Sequence, residues 1–349
     1  MKAVVAMSGG VDSSVAAALL KKEGYEVIGL TMQLRDENGR ELQQIKTIAE
    51  KLEIPHFIAD FRSTFTDLII DDFRREYRQG RTPNPCVRCN KYIKFGALMS
   101  EALELGAECL ATGHYARVER DSDTGKFLLK KGVDRRKDQS YFLCRLDQEQ
   151  LSHTLFPAGN LTKQDVRKIA SDMDLPVRDR PESQEICFIP DNDYTRFLEE
   201  HNPEFAKPGP ILDMQGHALG EHAGLHRYTI GQRRGLGIAA AEPLYVTDIE
   251  PEKNAVIVGN KELVYDDELT ATDVHWIVGM PPEFPARLKA RIRYRHPEAE
   301  AIITPTDSSS VYVKFTEPQM AITPGQTVVF YDGENVAGCG TINRQGSKK

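Results

Sequence analysis

Apolar residues recur at strand or helix spacing through the first half of the chain and fall into short β-type runs through the second. Residues 2–7, rich in Val and Ala, read as a strand; Asp12 to Lys22 has helical spacing and stops before Gly24; Val27 to Met32 is apolar again. Glu41 to Leu52 repeats the helical pattern, His56 to Ala59 reads as a strand, Thr64 to Arg78 as a longer helix and Cys109 to Thr112 as the next strand. Such alternation predicts an α/β fold, a doubly wound parallel sheet covered on both faces, with ligands at the carboxyl ends of its strands.

Helical periodicity stops after about residue 200, where Pro203, Pro208, Gly209, Pro210, Gly216, Gly220 and Gly224 crowd together. Leu244 to Ile249 and Ala255 to Val258 then flank a polar turn and read as a hairpin. Beyond residue 270 five further runs are β-type: Arg287 to Arg295, Ala299 to Thr304, Val311 to Phe315, Gln326 to Tyr331 and Val336 to Ile342. The expected organisation is an α/β catalytic domain over residues 1–200, a small central β-rich domain over 201–265 and a C-terminal β-barrel over 266–349, ending in a loose polar tail from Arg344.

Composition narrows the class. At 349 residues, 40% hydrophobic and 28% charged, the chain reads as an ordinary soluble multidomain protein. Val15 to Leu20 is the longest clean apolar stretch near the N-terminus, against the roughly 20 residues of a spanning helix, so no membrane partner and a cytoplasmic location are expected. Six cysteines in a reducing compartment point to catalysis, metal binding or burial in preference to a disulfide framework. A net charge of −7 means that any nucleic-acid contact depends on local basic clusters.

The first strand runs into Ser8-Gly9-Gly10-Val11-Asp12-Ser13-Ser14, which opens the first helix. Small residues let backbone N–H groups approach an anion, and the helix N-terminus adds partial positive charge. The ending of a Walker A loop is absent. The pattern resembles the pyrophosphate loop of the ATP pyrophosphatases, and in that setting Asp12 suits Mg2+. Four further segments narrow the resemblance: Gly80-Arg81-Thr82-Pro83-Asn84-Pro85-Cys86-Val87-Arg88-Cys89-Asn90-Lys91, Ala111-Thr112-Gly113-His114-Tyr115-Ala116, Lys137-Asp138-Gln139-Ser140-Tyr141-Phe142-Leu143 and Pro181-Glu182-Ser183-Gln184-Glu185-Ile186-Cys187-Phe188. With Tyr228-Thr229-Ile230-Gly231-Gln232-Arg233-Arg234-Gly235-Leu236, they are similar nearly end to end to the tRNA-specific 2-thiouridylases.

That resemblance implies a nucleotide-binding α/β domain, a small central domain and a terminal barrel. It also implies ATP-dependent thiolation of the wobble uridine of the tRNAs for Lys, Glu and Gln, with sulfur from a cysteine desulfurase or relay protein. Chemically, the 2-oxygen is a poor leaving group until adenylated, after which sulfur adds to the carbon and AMP departs. By the resemblance Cys89 is the nucleophile and Cys187 carries the persulfide, the cycle releasing sulfide or closing a Cys89–Cys187 disulfide. Ala6, Met7, Ser8, Gly9, Gly10, Val11, Asp12, Ser13, Met32 and Gly113 would border ATP. Asn84, Pro85 and Cys86 would surround the target base, while His114, Lys137, Asp138, Gln139, Arg293, Tyr294 and Gln326 would touch tRNA.

From the residues themselves, Arg88, Lys91 and the helix N-terminus are expected to lower the Cys89 pKa, whereas Cys109, Cys144 and Cys339 read as buried. Cys86 stands where many members of the family have Asp. The pair Cys86-x-x-Cys89 with distant Cys187 therefore also resembles a three-cysteine iron-sulfur site, and the persulfide and cluster routes stay open. Alternate basic residues Arg287, Lys289, Arg291, Arg293 and Arg295 predict one cationic strand face, which either meets phosphates or is a solvated face balanced by Glu298, Glu300 and their neighbours; Lys130, Lys131, Arg135, Arg136 and Lys137 form a second cluster, for tRNA or simply a charged loop. Other ATP pyrophosphatases, such as tRNA lysidine synthetase or an amidating synthetase, share the loop without needing paired cysteines; a nonenzymatic metal- or RNA-binding module would need no ATP turnover.

Overall fold

The computed structural model describes residues 1–36, 39–177 and 186–343. Its N-terminal part is built on strands β1 (Lys2–Ala6), β2 (Glu26–Gln33), β3 (His56–Asp60) and β4 (Cys109–Ala111). A hairpin of β5 (Ala116–Arg120) and β6 (Phe127–Lys131) follows, then the short β7 (Thr154–Leu155). Five of these make a wholly parallel sheet in the order β3-β2-β1-β4-β7. Successive β1 side chains point to opposite faces. Ala3 and Val5 pack with Val15, Ile48 and Val166 from the helices Val11–Lys22, Gly39–Lys51 and Lys163–Asp172. Val4 packs with Phe95, Leu98 and Ala102 on the other side. The sheet is thus covered twice, and strands are added to one side of β1 (β2, β3) and then to the other (β4, β7), a switch that places a binding crevice at the carboxyl ends of β1 and β4.

Two long helices carry widened turns. The helix expected over 64–78 spans 62–78 and contains a π-helical stretch, Thr66–Ile70. A second long helix spans 85–104, with a π-helical stretch at Asn90–Ala97. Widened turns of this kind shift side-chain register and are frequent at functional sites.

The central sheet has four strands, β8 (Gly209–Leu212), β9 (Ala218–His222), β10 (Tyr245–Glu250) and β11 (Ala255–Gly259), in the order β10-β11-β8-β9. The β10–β11 hairpin agrees with the sequence pattern; β8 and β9 lie inside the Pro/Gly-rich span that hides them. The C-terminal strands are β12 (Tyr265–Trp276), β13 (Ala286–Arg291), β14 (Ala299–Pro305), β15 (Val311–Met320), β16 (Thr327–Asp332) and β17 (Asn335–Ile342). Pairing of β12 with β17 closes these six into a barrel.

The barrel and the catalytic part share a core. Hairpin β5–β6 extends the barrel sheet through Lys130 opposite Asn335. Tyr141 and Leu143 from the first part pack in one cluster with Val329, Tyr331 and Cys339 of the barrel, and the Tyr141 hydroxyl donates to the Thr327 carbonyl at 2.7 Å.

The expected cationic strand face over 287–295 is corrected: β13 ends at Arg291, and Arg293 and Arg295 lie in the turn beyond it. Arg287 and Arg295 are exposed, but Arg291 pairs with Glu298 at 2.9 Å and Lys289 with Glu300 at 3.6 Å. Two segments singled out in the sequence, Pro181 to Glu185 and the tail from Arg344, lie outside the described residues.

Candidate active site

At the carboxyl end of β1 the chain turns through Gly9, whose φ of 70° suits glycine. Gly10 precedes the helix Val11–Lys22 with extended backbone and no side-chain cap. The helix N-terminus is thus left to an external anion. Ser13 and Ser14 donate their hydroxyls back to the Gly10 carbonyl at 3.0 and 2.9 Å, and the Ser8 N–H donates to Ser13 Oγ at 3.3 Å. These bonds hold the loop in shape around its small residues. Ala6 and Met7 lead in from β1, and Met32 lies one residue before the end of the neighbouring β2.

Gly113, after β4, packs against this loop so closely that a Cβ there would lie 2.6 Å from the Asp12 carbonyl carbon and 2.7 Å from the Ser13 nitrogen. Asp12 does not offer the open carboxylate expected for Mg2+. Its oxygens accept Lys163 Nζ at 2.7 and 2.8 Å and the Tyr115 hydroxyl at 2.7 Å. The residues present therefore do not fit a resident Mg2+ on Asp12.

One residue further, His114 faces a different chemistry. Its Nε2 lies 3.5 Å from Lys94 Nζ and its Nδ1 lies 2.6 Å from Thr112 Oγ1. An ammonium can only donate, so Nε2 accepts and the ring proton sits on Nδ1, directed at the threonine oxygen. Burial, reinforced by Lys94, holds the His114 pKa well below its usual value and keeps the ring neutral.

Lys94 also faces three thiols. Asn84 caps the helix 85–104 by accepting from the Val87 N–H at 3.4 Å, Pro85 occupies its first turn, and Cys86 and Cys89 follow. Cys89 is 7% exposed and packs in one apolar cluster with Phe65, Phe73 and Phe188. The Phe188 ring sits edge-on to Phe65 and Phe73 at 5.6 and 5.4 Å, which anchors its neighbour Cys187 near the same helix. Cys86 and Cys187 are exposed, and all six cysteines are free thiols.

The expected activation of Cys89 is corrected. Crowding by protein pushes its thiol up to about 12 and that of Cys86 up to about 11, and raises Cys187 as well. Arg88 turns away to Asp72 at 2.9 Å, and Lys91 lies over the Tyr92 ring; Lys94 is the cation that opposes the shift at all three thiols. Alkylation of the folded protein with iodoacetamide is therefore expected to label Cys86 and Cys187 before Cys89. The rate should climb about tenfold per pH unit from neutrality, because below its pKa the thiolate fraction does so. A plateau between pH 7 and 9, read by mass spectrometry, would instead indicate a depressed pKa.

Among the described residues no three His, Cys, Asp or Glu side chains are placed to hold one metal ion, Cys86, Cys89 and Cys187 included.

The loop, the thiols and the fold have a common counterpart. The family described as "tRNA methyl transferase HUP domain" matches residues 1–191, "tRNA methyl transferase PRC-barrel domain" matches 195–260 and "Aminomethyltransferase beta-barrel domain" matches 266–342. A tRNA-specific 2-thiouridylase of Caldanaerobacter subterraneus subsp. tengcongensis is 51% identical over 99% of this chain and 98% of its own length. That of Geotalea uraniireducens is 51% identical over 98% of this chain and 94% of its own, and that of Halothermothrix orenii 51% over 98% of each. The chain belongs to the tRNA-specific 2-thiouridylase family.

As a member of the 2-thiouridylase family it is a tRNA sulfurtransferase that uses ATP. Among the described residues no helix is long and apolar enough to cross a membrane. The residues that the family resemblance assigned to tRNA are more internal than a free RNA-facing set. The Asp138 carboxylate is 3% exposed and accepts from the Gly132 and Ser140 N–H groups at 3.0 and 3.2 Å. Gln139 Oε1 accepts from the Tyr115 N–H at 3.0 Å. Gln326 donates to the Thr82 and Pro83 carbonyls at 2.8 and 3.2 Å, fastening the barrel to the loop before Asn84. Arg293 donates to the Ile230 and Ala321 carbonyls, both at 3.0 Å, and to Thr323. Tyr294 packs on Phe142 at 4.3 Å, and Lys137 is half-buried just before Asp138. The second basic cluster is largely answered: Lys130 by Glu119 at 2.6 Å, Lys131 by Glu298 at 2.8 Å, and Arg135 by Glu334.

The cations that stay exposed include Arg136, Arg233, Arg234, Arg287 and Arg295. Reversing Arg287 and Arg295 to Glu is expected to weaken tRNA binding and flatten its log–log salt dependence by about two charges. Arg291→Gln should lower the melting temperature and leave that slope alone, since Arg291 works between Glu298 and Asp138.

Lys94, Tyr115 and Lys163 escaped the sequence reading. Thr162 and Asp165 form a capping box around the start of the helix Lys163–Asp172. The Thr-x-x-Asp spacing was a usable signal for that helix, though not for where Lys163 points.

Proposed function

We propose that this enzyme 2-thiolates the wobble uridine of the tRNAs for Lys, Glu and Gln in the cytoplasm, taking sulfur from a cysteine desulfurase or relay protein. One observation carries the reading: Gly113 packs on the phosphate loop and the next residue, His114, meets the lysine that faces Cys86, Cys89 and Cys187. A nucleotide at the loop and a base at the thiols would therefore be neighbours.

In this reading residues 6–13, Met32 and Gly113 hold ATP, and the uridine 2-oxygen attacks its α-phosphate with loss of pyrophosphate. Asn84, Pro85 and Cys86 border the base. A persulfide on Cys187 adds its terminal sulfur to C2, and the C2–O bond breaks to release AMP. Cys89 then attacks Cys187 Sγ; the persulfide S–S bond breaks, sulfur stays on C2, and a Cys89–Cys187 disulfide forms for reduction by an external dithiol. Cys89 must lose its proton first, a cost that Lys94 reduces. His114, Lys137, Asp138, Gln139, Arg293, Tyr294 and Gln326 shape the tRNA face, the internal ones by fixing loops and domains.

The test supplies ATP, magnesium, wobble-uridine tRNA, cysteine and a desulfurase to anaerobically purified protein assayed for iron. Stoichiometric AMP and 2-thiouridine from iron-free protein are expected. ADP as the nucleotide product, or an unmodified anticodon, would overturn the reading.

A further inference from the structure

Lys163 stands 151 residues from Asp12 in sequence, yet its Nζ reaches both carboxylate oxygens, at 2.7 and 2.8 Å. It is 8% exposed, and burying an ammonium is costly unless a charge answers it. The ammonium also lies 5.7 Å from the Tyr115 ring centroid, and Tyr115 donates its hydroxyl to the same carboxylate. The groups come from the carboxyl ends of three adjacent strands. Asp12 follows β1, Tyr115 follows β4, and Lys163 opens the helix after β7.

This clamp has an electrostatic meaning at an anion site. Asp12 is the second residue of the helix Val11–Lys22, where a carboxylate competes with any incoming phosphate for the positive end of the helix. An unanswered charge there would repel a polyphosphate across the short distance that binding requires. We propose that Lys163 is a positioning residue of the nucleotide site, neutralising Asp12 so that the phosphate loop offers its N–H groups without an opposing charge. The proposal rests on ATP being the nucleotide of the reaction proposed above. Lys163 thus governs how tightly the loop holds ATP, while the sulfur steps proceed elsewhere.

A purely structural staple between two helices would make Asp12→Asn and Lys163→Met weaken ATP binding alike. Neutralisation gives opposite signs. Calorimetric titration of the tRNA-free full-length protein with ATP at fixed magnesium is expected to show Lys163→Met weakened by about 30-fold and Asp12→Asn tightened by about fivefold. The charge-balanced double variant and Lys163→Arg should both stay within about threefold of the parent. Equal weakening in both single variants, or a double variant as weak as Lys163→Met, overturns the proposal; so does an unchanged Lys163→Met. Should Lys163→Met fail to fold, the sign of the Asp12→Asn effect decides. Parent protein that binds ATP with this pattern but forms no AMP on tRNA would sink the proposed function and leave the clamp standing.

Discussion

Replacing Cys187 with Ser is expected to lower 2-thiouridine formation at least about 1,000-fold, while pyrophosphate release dependent on tRNA continues. The hydroxyl keeps the size of the side chain but cannot carry a persulfide. Cys187 is held through its neighbour Phe188 against Phe65 and Phe73, so the substitution leaves the anchoring cluster intact and the melting temperature unchanged. Adenylated tRNA, or AMP from its slow hydrolysis, should accumulate and be seen by mass spectrometry and nucleotide analysis. Full thiolation by the variant would remove Cys187 from the sulfur path; loss of pyrophosphate release as well would place it in the adenylation step instead.

Gly113→Ala is expected to act at the other half of the site. A methyl group 2.6–2.8 Å from three atoms of Asp12 and Ser13 cannot be accommodated by rotating a side chain, because two of those atoms are backbone. The phosphate loop must move. Displacing it by even part of an ångström is expected to reduce kcat/KM for ATP about 100-fold. Overpacking should also cost about 1–3 kcal/mol of stability. Steady-state kinetics with tRNA in excess, together with thermal melting, separates the two effects. Parent-like ATP use would mean that the loop tolerates a shift the packing says it cannot.

The doubly wound sheet and the terminal barrel were readable because apolar runs of the right length alternate along residues 2–112 and again beyond 270. Strands β8 and β9 were hidden by glycine and proline, whose presence usually marks turns. The charge pattern misled for a physical reason. Alternation from Arg287 to Arg295 specifies which way side chains point only while the strand continues, and β13 ends at Arg291. Partners such as Glu298 and Glu334, far along the chain from Lys131 and Arg135, are not visible in local spacing.

At the site, the loop residues and the cysteines were legible as motifs, but their protonation was not. Neighbours in sequence, Arg88 and Lys91, point elsewhere, and burial of Cys89 outweighs the helix end. Lys94 acts from a widened helical turn that no sequence period announced. Lys163 reached Asp12 only through the folding together of strands whose order in the sheet differs from their order in the chain.

The β5–β6 hairpin bears on the order in which the protein matures on the ribosome. Lys131 donates to the Gly333 carbonyl, 202 positions later, and Lys130 lies opposite Asn335. An emerging chain can assemble the five-stranded sheet early, yet this hairpin must wait for β17 to be synthesised before its edge is sealed. Premature termination anywhere in the barrel would leave that edge bare, and a truncated product would be prone to aggregation and clearance before it could modify tRNA.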